Sequence, residues 1–331
     1  MSLTSTNTSV DVNALYAPIR SDLDAARKVF DDELVSDLFF VNELCDQIRS
    51  YRGKMLRPAM LLLSGKAVGD LTADHHVLAA VVEMVHMATL VHDDVLDDAD
   101  QRRKQPTIRS TDGNVSAILL GDYLISHAYH LCSSVGETYA GRRIGDATNT
   151  VCEGELLQNK CRRDDGITEA TYLDIVRRKT GALTAVSCEL GAFFAGADRA
   201  TTEALHGYGM AAGVAFQIID DVLDITGDAQ QVGKTLGLDL AMGKLTLPML
   251  HGLANATPAV ASALRAALRG QQGVDAEQLR DWLEECGSID FARAVASGFV
   301  AQAAGFLDVL PPGDAKSSLT MMVEFIIQRR D

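Results

Sequence analysis

The pentapeptide Asp-Asp-Val-Leu-Asp occurs twice, at Asp93–Asp97 and at Asp220–Asp224. In each copy the outer carboxylates stand four residues apart. On a helix that spacing stacks Asp93 over Asp97, and Asp220 over Asp224, with Cβ atoms about 6 Å apart. Stacked carboxylates repel each other unless a cation lies between them. Hard oxygen donors of this kind suit Mg²⁺, which takes few protein carboxylates and fills its other positions with water and phosphate. Two such clusters facing each other make a cage for a polyanion such as a diphosphate. An acidic run on a helix is ordinarily a solvated face. Here each copy closes a strongly apolar segment, Val81–Val91 or Met210–Ile219, so the carboxylates end buried helices and need counter-charge.

The cations sit where a diphosphate needs them. Lys54 and Arg57 stand together at a helix start marked by Pro58, where free backbone N–H groups also favour anions. Arg102 and Arg103 follow the first cluster within a few residues, and Lys179-Thr180-Gly181 and the Lys234/Lys244 pair around a glycine-rich loop complete the set. Arg142-Arg143, Arg162-Arg163 and Arg329-Arg330 read as ordinary surface charge. His86 lies seven residues before Asp93, two turns up on the same face, and Gln217 lies three before Asp220 on the face of its cluster. By position alone His86 reads as a structural histidine, and so does His92, which points elsewhere.

These residues must be carried by helices. With 331 residues, 47% hydrophobic and only 5% aromatic, the chain has material for a large core and leans toward helix over sheet. Its net charge of −15 and pI near 4.9 argue against a nucleic-acid partner. The six cysteines, Cys45, Cys132, Cys152, Cys161, Cys188 and Cys286, are scattered without metal-site spacing and read as reduced thiols of a cytoplasmic protein. No apolar run reaches membrane-spanning length, and the Ser/Thr-rich start is no signal peptide. Residues 1–12 read as a disordered tail and 13–331 as one all-α domain. Helical spacing runs from Val12 to Ser50, and helices are expected at about 58–68, 74–98, 115–134, 138–161, 168–187, 189–197, 201–228, 240–254, 258–269, 275–286, 288–309 and 315–330, with 99–114 a loop.

Taken in order, the motifs resemble those of the trans-isoprenyl diphosphate synthases, the polyprenyl synthetase family, across roughly residues 30 to 255. Gly53-Lys54-x-x-Arg57-Pro58 is similar to the family's first basic motif. His92–Asp97 with Arg102-Arg103 resembles its first aspartate-rich region, and Phe216-Gln217-x-x-Asp220-Asp221-x-x-Asp224 its second. Gly121-Asp122, Gly154-Glu155-Leu156-Leu157-Gln158, Lys179-Thr180, Gly233-Lys234 through Asp239, and Gly243-Lys244-x-Thr246-Leu247-Pro248 match its remaining signatures. Two departures stand out: Arg52 replaces the first glycine of the usual Gly-Gly-Lys, and Lys104 replaces the glycine that usually follows the arginine pair.

The resemblance implies an isoprenoid-synthase bundle of long helices around a central cavity. It implies head-to-tail condensation of isopentenyl diphosphate with an allylic diphosphate, using three Mg²⁺ ions. Asp93, Asp97 and Asp220 would hold metal, with Asp94, Asp221 and Asp224 acting behind them or through water. Arg102, Lys179, Thr180, Gln217, Lys234 and Lys244 would serve the allylic substrate, with Arg102, Lys179 and Lys244 also helping ionisation. Lys54, Arg57, His86 and Arg103 would hold isopentenyl diphosphate. Val85, Ala88 and Thr89 would wall a product tunnel whose floor lies near Thr148 and Cys152. Small residues there point to a product longer than farnesyl. The competing readings are a geranylgeranyl diphosphate synthase, a class I terpene cyclase and a non-catalytic synthase subunit. A homodimer is implied, with Leu124, Ile125, Ala128 and Leu131 as a candidate interface stripe, and peripheral membrane contact could serve product release.

Overall fold

Apolar periodicity and end-capping account for most of the helices. The computed structural model describes residues 12–51, 53–227 and 237–329. Among these, α1 (Val12–Leu15), α2 (Arg20–Glu33), α3 (Phe39–Ser50), α4 (Leu56–Val68) and α5 (Ala73–Leu96) lead to a small hairpin, β1 (Gln101–Arg102) and β2 (Gln105–Pro106). There follow α6 (Ile108–Ser134), α7 (Thr138–Lys160), α8 (Glu169–Val176), α9 (Ala182–Phe194) and α10 (Arg199–Thr226). The chain closes with α11 (Leu238–Ala241), α12 (Leu247–Asn255), α13 (Pro258–Leu268), α14 (Ala276–Glu285), α15 (Ser288–Phe306) and α16 (Asp314–Gln328). The architecture is one all-α domain around a contiguous core. Of the expected tail, residues 1–11 lie outside the described residues, and Val12 opens α1.

Several boundaries differ from the sequence reading, and the helical stretch expected up to Ser50 is broken at 34–38 between α2 and α3. The expected loop 99–114 ends early, because the Thr107 hydroxyl caps α6 by accepting the Ser110 N–H at 3.1 Å. Gly113, at φ +84° and ψ 166°, is not helical, so α6 is two helical stretches, 108–112 and 114–134, joined across a kink. No break separates 187 from 189; the irregular segment is instead a π-helical turn over Arg177–Gly181. The expected helix 240–254 is split into α11 and α12 by a turn at Gly243.

The hairpin reverses through Arg103 (φ +51°) and Lys104 (φ +64°), the left-handed pair that a two-residue turn normally gives to Asn-Gly. The turn therefore keeps the conformation a glycine would take at 104, at a cost of about 1 kcal/mol for a lysine there.

Every position from Pro58 to Gly65 of α4 and from Ala182 to Ala192 of α9 is buried. A helix enclosed on all sides belongs at the centre of a bundle. α9 packs on α4, α7 and α10, while α5 is enclosed by α2, α4, α6 and α9. At the α4–α9 crossing the backbones touch: a Cβ on Gly191 would overlap the Leu61 carbonyl oxygen. Gly191→Ala should therefore cost about 3 kcal/mol or more, read as a drop in the urea midpoint. A wild-type midpoint would show that the crossing can relax.

Arg143, set aside from sequence as surface charge, is instead part of a buried network. Its guanidinium meets Glu189 at 2.5 and 2.6 Å, and Glu189 also accepts from Tyr139 and lies 2.7 Å from His206 Nδ1. Although burial raises the Glu189 carboxyl, these partners outweigh it and hold the group down at about 2. The network ties α7, α9 and α10 together. Among the described residues no helix is long and apolar enough to cross a membrane.

Candidate active site

Both acidic clusters fall at the C-terminal ends of long helices. Asp93 and Asp94 lie in the last turn of α5 with Asp97 as its C-cap, and Asp220, Asp221 and Asp224 occupy the last two turns of α10. Helix C-termini carry partial negative charge, so carboxylates are unfavourable there unless cations answer them. The protein supplies such cations from distant parts of the chain.

Around the first cluster, Asp97 is bound by Arg162 at 2.6 Å and by Lys244 Nζ at 2.7 Å. The turn at Gly243 (φ +72°) makes this possible: the Gly243 carbonyl accepts the Arg163 N–H at 2.8 Å, which docks the two cation-bearing turns together. Arg162, read as surface charge, is thus part of the site. Asp94 is only 2% exposed; its Oδ1 receives Arg102 at 2.8–2.9 Å, and its Oδ2 has no hydrogen-bond partner. Lys179 Nζ lies 3.7 Å from Asp93, pairs with Glu155 and donates to Gln158 at 3.0 Å. The Gly154–Gln158 signature therefore holds this lysine.

The second cluster is reached through the next residue. Thr180 Oγ1 donates to Gln217 at 2.8 Å, and the Gln217 amide donates to Asp221 at 2.8 Å. Asp221, buried, also accepts from Tyr172 at 2.6 Å. Lys179 and Thr180, side by side on the π turn, are thus bound one to each cluster. A cavity beside that turn is lined by Lys179, Thr180, Gln217, Asp221, Lys244 and Tyr172. Arg329, beyond the end of α16, comes within 3.8 Å of Asp220 and stacks over Phe216 at 4.3 Å. It too had read as surface charge. The Asp224 carboxylate accepts the Asp239 N–H at 3.2 Å. Lys234 lies outside the described residues.

A second group of cations gathers above the first cluster on α5. His86 feels Arg57, Arg103 and Arg102, and burial together with these charges holds its pKa well below the usual histidine range, so it is neutral at pH 7. Arg103 donates to the Tyr51 carbonyl and covers Gly53, where any Cβ would collide with its guanidinium. Arg57 Nε is buried with no hydrogen-bond partner, and burial lowers the Arg57 pKa. Lys54 Nζ sits 5.7 Å from the Phe325 ring of α16. The sequence reading missed Glu83, 2% exposed and three residues before His86, whose charge acts on both Arg57 and Arg103. Its signal was an acid inside an otherwise apolar run.

Burial, with Glu155 and Asp97 adding repulsion against the pull of Lys179 and Arg102, raises Asp93 from 3.8 to about 6. Carboxylates pressed together in this way, with the Asp94 Oδ2 atom unsatisfied, fit hard divalent cations. Asp93, Asp97, Asp220 and Asp224 keep partly exposed oxygens, whereas Asp94 and Asp221 face the protein's own donors. His92 Nε2 contacts the Ile118 carbonyl at 3.2 Å on α6, away from the cavity.

Two expectations about apolar walls change. Val85 and Ala88, expected to border an open tunnel, are 1% and 0% exposed, because α5 is enclosed on four sides; only Thr89 is half-exposed, its hydroxyl donating to the His86 carbonyl at 2.7 Å. Cys152, a candidate for the tunnel floor, lies on the surface of α7, while Thr148 is half-buried and bonds back to its own helix. The candidate interface stripe is also turned inward: Leu124 and Ala128 are fully buried, and Ile125 and Leu131 pack against the core.

The chain is similar to known proteins over nearly its whole length. The polyprenyl synthetase family profile matches residues 40–286. The chain is 34% identical to octaprenyl diphosphate synthase of Escherichia coli, over 90% of this chain and 93% of that protein. It is likewise 34% identical to heptaprenyl diphosphate synthase component 2 of Bacillus subtilis, over 98% of this chain and 94% of that one. A polyprenyl synthase from Caulobacter crescentus, solved with calcium and isoprenyl diphosphate, superposes with a TM-score of 0.94 at 31% identity, covering 98% of this chain and all of that one. The shared profile, the helix order and the two aspartate-rich helix ends lead to one assignment: the chain belongs to the polyprenyl synthetase family.

Proposed function

We infer that in this trans-prenyl diphosphate synthase the two groups of cations divide the substrates between them. Lys179, Lys244, Arg102 and Gln217, with Thr180 and Lys234, serve the allylic diphosphate. Lys54, Arg57, His86 and Arg103 hold isopentenyl diphosphate. The observation that carries this reading is that Lys179, Lys244 and Arg102 are each paired with an aspartate of the first cluster, whereas Arg57 and Arg103 gather around His86 and Glu83. The allylic C1–O bond breaks and its electron pair leaves with diphosphate. The double bond of isopentenyl diphosphate then bonds to C1, and the proton lost from C2 passes to the released diphosphate.

Asp93, Asp97 and Asp220, with Asp224 assisting, would hold Mg²⁺, taken as three ions, and the metal would supply positive charge against that growing on the leaving group. Asp94 and Asp221 orient neighbours: Asp94 fixes Arg102, and Asp221 fixes Gln217 and Tyr172. Lys179 and Lys244, paired with Asp93 and Asp97 in the metal-free chain, would turn to the diphosphate once metal takes those carboxylates. Neutral His86 donates a hydrogen bond without adding a charge to the isopentenyl site.

The octaprenyl and heptaprenyl names of two relatives support a long-chain, all-trans product. Because one relative is named as a component of a synthase, the test uses the purified chain alone with labelled isopentenyl diphosphate and several primers. Products longer than farnesyl are expected, and no product from the chain alone would show that a second component is required. Arg57→Ala should raise KM for isopentenyl diphosphate about tenfold or more with little change for the primer, whereas Lys179→Ala should impair primer use and ionisation. Equal effects on both substrates would show the two sites to be misassigned.

The functional unit is a homodimer. Val115 (71%), Leu119 (61%), Ile118 and Tyr129 form the exposed apolar stripe of α6, and Phe39 (76%) and Phe40 stand on the neighbouring α3. Light scattering should give twice the 35.5 kDa chain mass, and a particle of 35.5 kDa at micromolar protein would refute the dimer. Six unpaired cysteines fit a cytoplasmic enzyme, and peripheral contact with a membrane would let a long product leave.

A further inference from the structure

Away from the catalytic cavity, one cluster brings together three residues of metal-ligand type. Glu33 ends α2, and His127 and His130 stand three apart on α6, so both imidazoles leave one face of that helix. Each Nδ1 reaches the same carboxylate oxygen, Glu33 Oε1, at 2.7 Å from His127 and 2.8 Å from His130. One ligand atom from each residue can be chosen so that all three lie within 4.8 Å of one another. The prenyl-transfer chemistry uses none of these residues.

We propose that Glu33, His127 and His130 form a binding site for a transition-metal dication of the zinc class, distinct from the all-oxygen sites of the aspartate clusters. Two imidazole nitrogens and a carboxylate oxygen form a three-ligand set that Zn²⁺ completes with water at about 2.0–2.2 Å per bond. Donor atoms around such an ion stand roughly 3.3 Å apart. The two nitrogens therefore need to move off the shared oxygen by about half an ångström, replacing the protons that now lie in those hydrogen bonds. The side chains have room for this: Glu33 is 14% exposed, His127 25% and His130 75%. The Tyr123 ring, 4.3 Å from that of His127 between centroids, keeps the inner imidazole in place. Nitrogen donors discriminate against Mg²⁺, so millimolar Mg²⁺ at the aspartates does not compete here. A bound ion would fasten the end of α2 to the middle of α6.

The test uses the full chain without a histidine tag, stripped with chelator and held in excess Mg²⁺ to occupy the aspartates. Titration with Zn²⁺ should show one equivalent bound per chain, with a rise in Tm. Co²⁺ should give visible ligand-field bands of nitrogen and oxygen coordination without a thiolate charge-transfer band. His130→Asn, at an exposed position, and Glu33→Gln should each weaken Zn²⁺ by at least the roughly tenfold that loss of a mere supporting partner costs. Mg²⁺-dependent prenyl transfer by His130→Asn should stay at the wild-type rate. Unchanged Zn²⁺ affinity in His130→Asn, a thiolate band with Co²⁺, or no Zn²⁺ uptake by the wild-type chain would each overturn the proposal.

Discussion

Asp93→Ala should lower kcat by roughly three orders of magnitude at saturating Mg²⁺ and substrate, and Asp220→Ala should do the same. Each change removes an oxygen needed most as negative charge builds on the leaving diphosphate, so the loss belongs in kcat more than in KM. An Asp220→Ala enzyme with wild-type kcat would remove the second cluster from the mechanism. Stability should move the other way. Burial lifts Asp93 from 3.8 to about 6, so the folded, metal-free chain binds its proton more tightly than the unfolded chain does. Metal-free stability is therefore lost as pH rises from about 4 through 6, by on the order of 3 kcal/mol in full. Asp93→Asn carries no such charge. At pH 7.5 without metal it should melt several degrees above wild type, a gain that vanishes near pH 4. An unchanged Tm at pH 7.5 would mean that Lys179 already neutralises the buried carboxylate. The same crowding that weakens the empty fold prepares the site for cations, a trade common where function needs charge in a poorly solvated place.

What could be read from the chain follows from how local each signal is. The aspartate pairs, His86 and Gln217 lie on two helices with clear 3.6-residue periodicity, so their facing follows from spacing alone. The basic residues at 54, 57, 102, 103, 179 and 244 are legible because each sits next to a motif. Arg162 and Arg329 carry no local mark. Arg162 meets Asp97 only because the turn at Arg163 docks on Gly243, and Arg329 meets Asp220 only because α16 returns to the mouth of the site. Tyr172 is likewise invisible until α8 is laid against Asp221. The π turn that directs Lys179 and Thr180 to different clusters has no sequence signature of its own. The misplaced α6 stripe has a different cause. Leu124 and Ala128 are as apolar as Val115 and Leu119, and only the packing of α5 on α6 decides which set faces inward.

The burial of Ala88 beside the half-exposed Thr89 separates two substitutions that spacing alone would treat alike. Thr89 lies one turn before Asp93, and its hydroxyl is turned back onto the His86 carbonyl, so the side chain neither binds a phosphate nor fills the space beyond it. A phenyl ring at that position would occupy the space that an elongating prenyl tail must cross. Thr89→Phe should therefore shift the products toward farnesyl or geranylgeranyl diphosphate. The first condensation should stay within about tenfold of wild type in kcat, because the aspartates and cations are untouched. Ala88, 0% exposed, has no such space beside it. A ring forced in there must displace packed neighbours on helices that enclose α5, at a cost of about 1–3 kcal/mol or more. Ala88→Phe should thus lower Tm by several degrees, and any change in its products should be accompanied by loss of total activity. Chromatography of the product ladders, run beside thermal melts of both variants, tests the pair. A folded, active Thr89→Phe enzyme with the wild-type ladder would mean that the growing chain leaves the cavity along another face of α5.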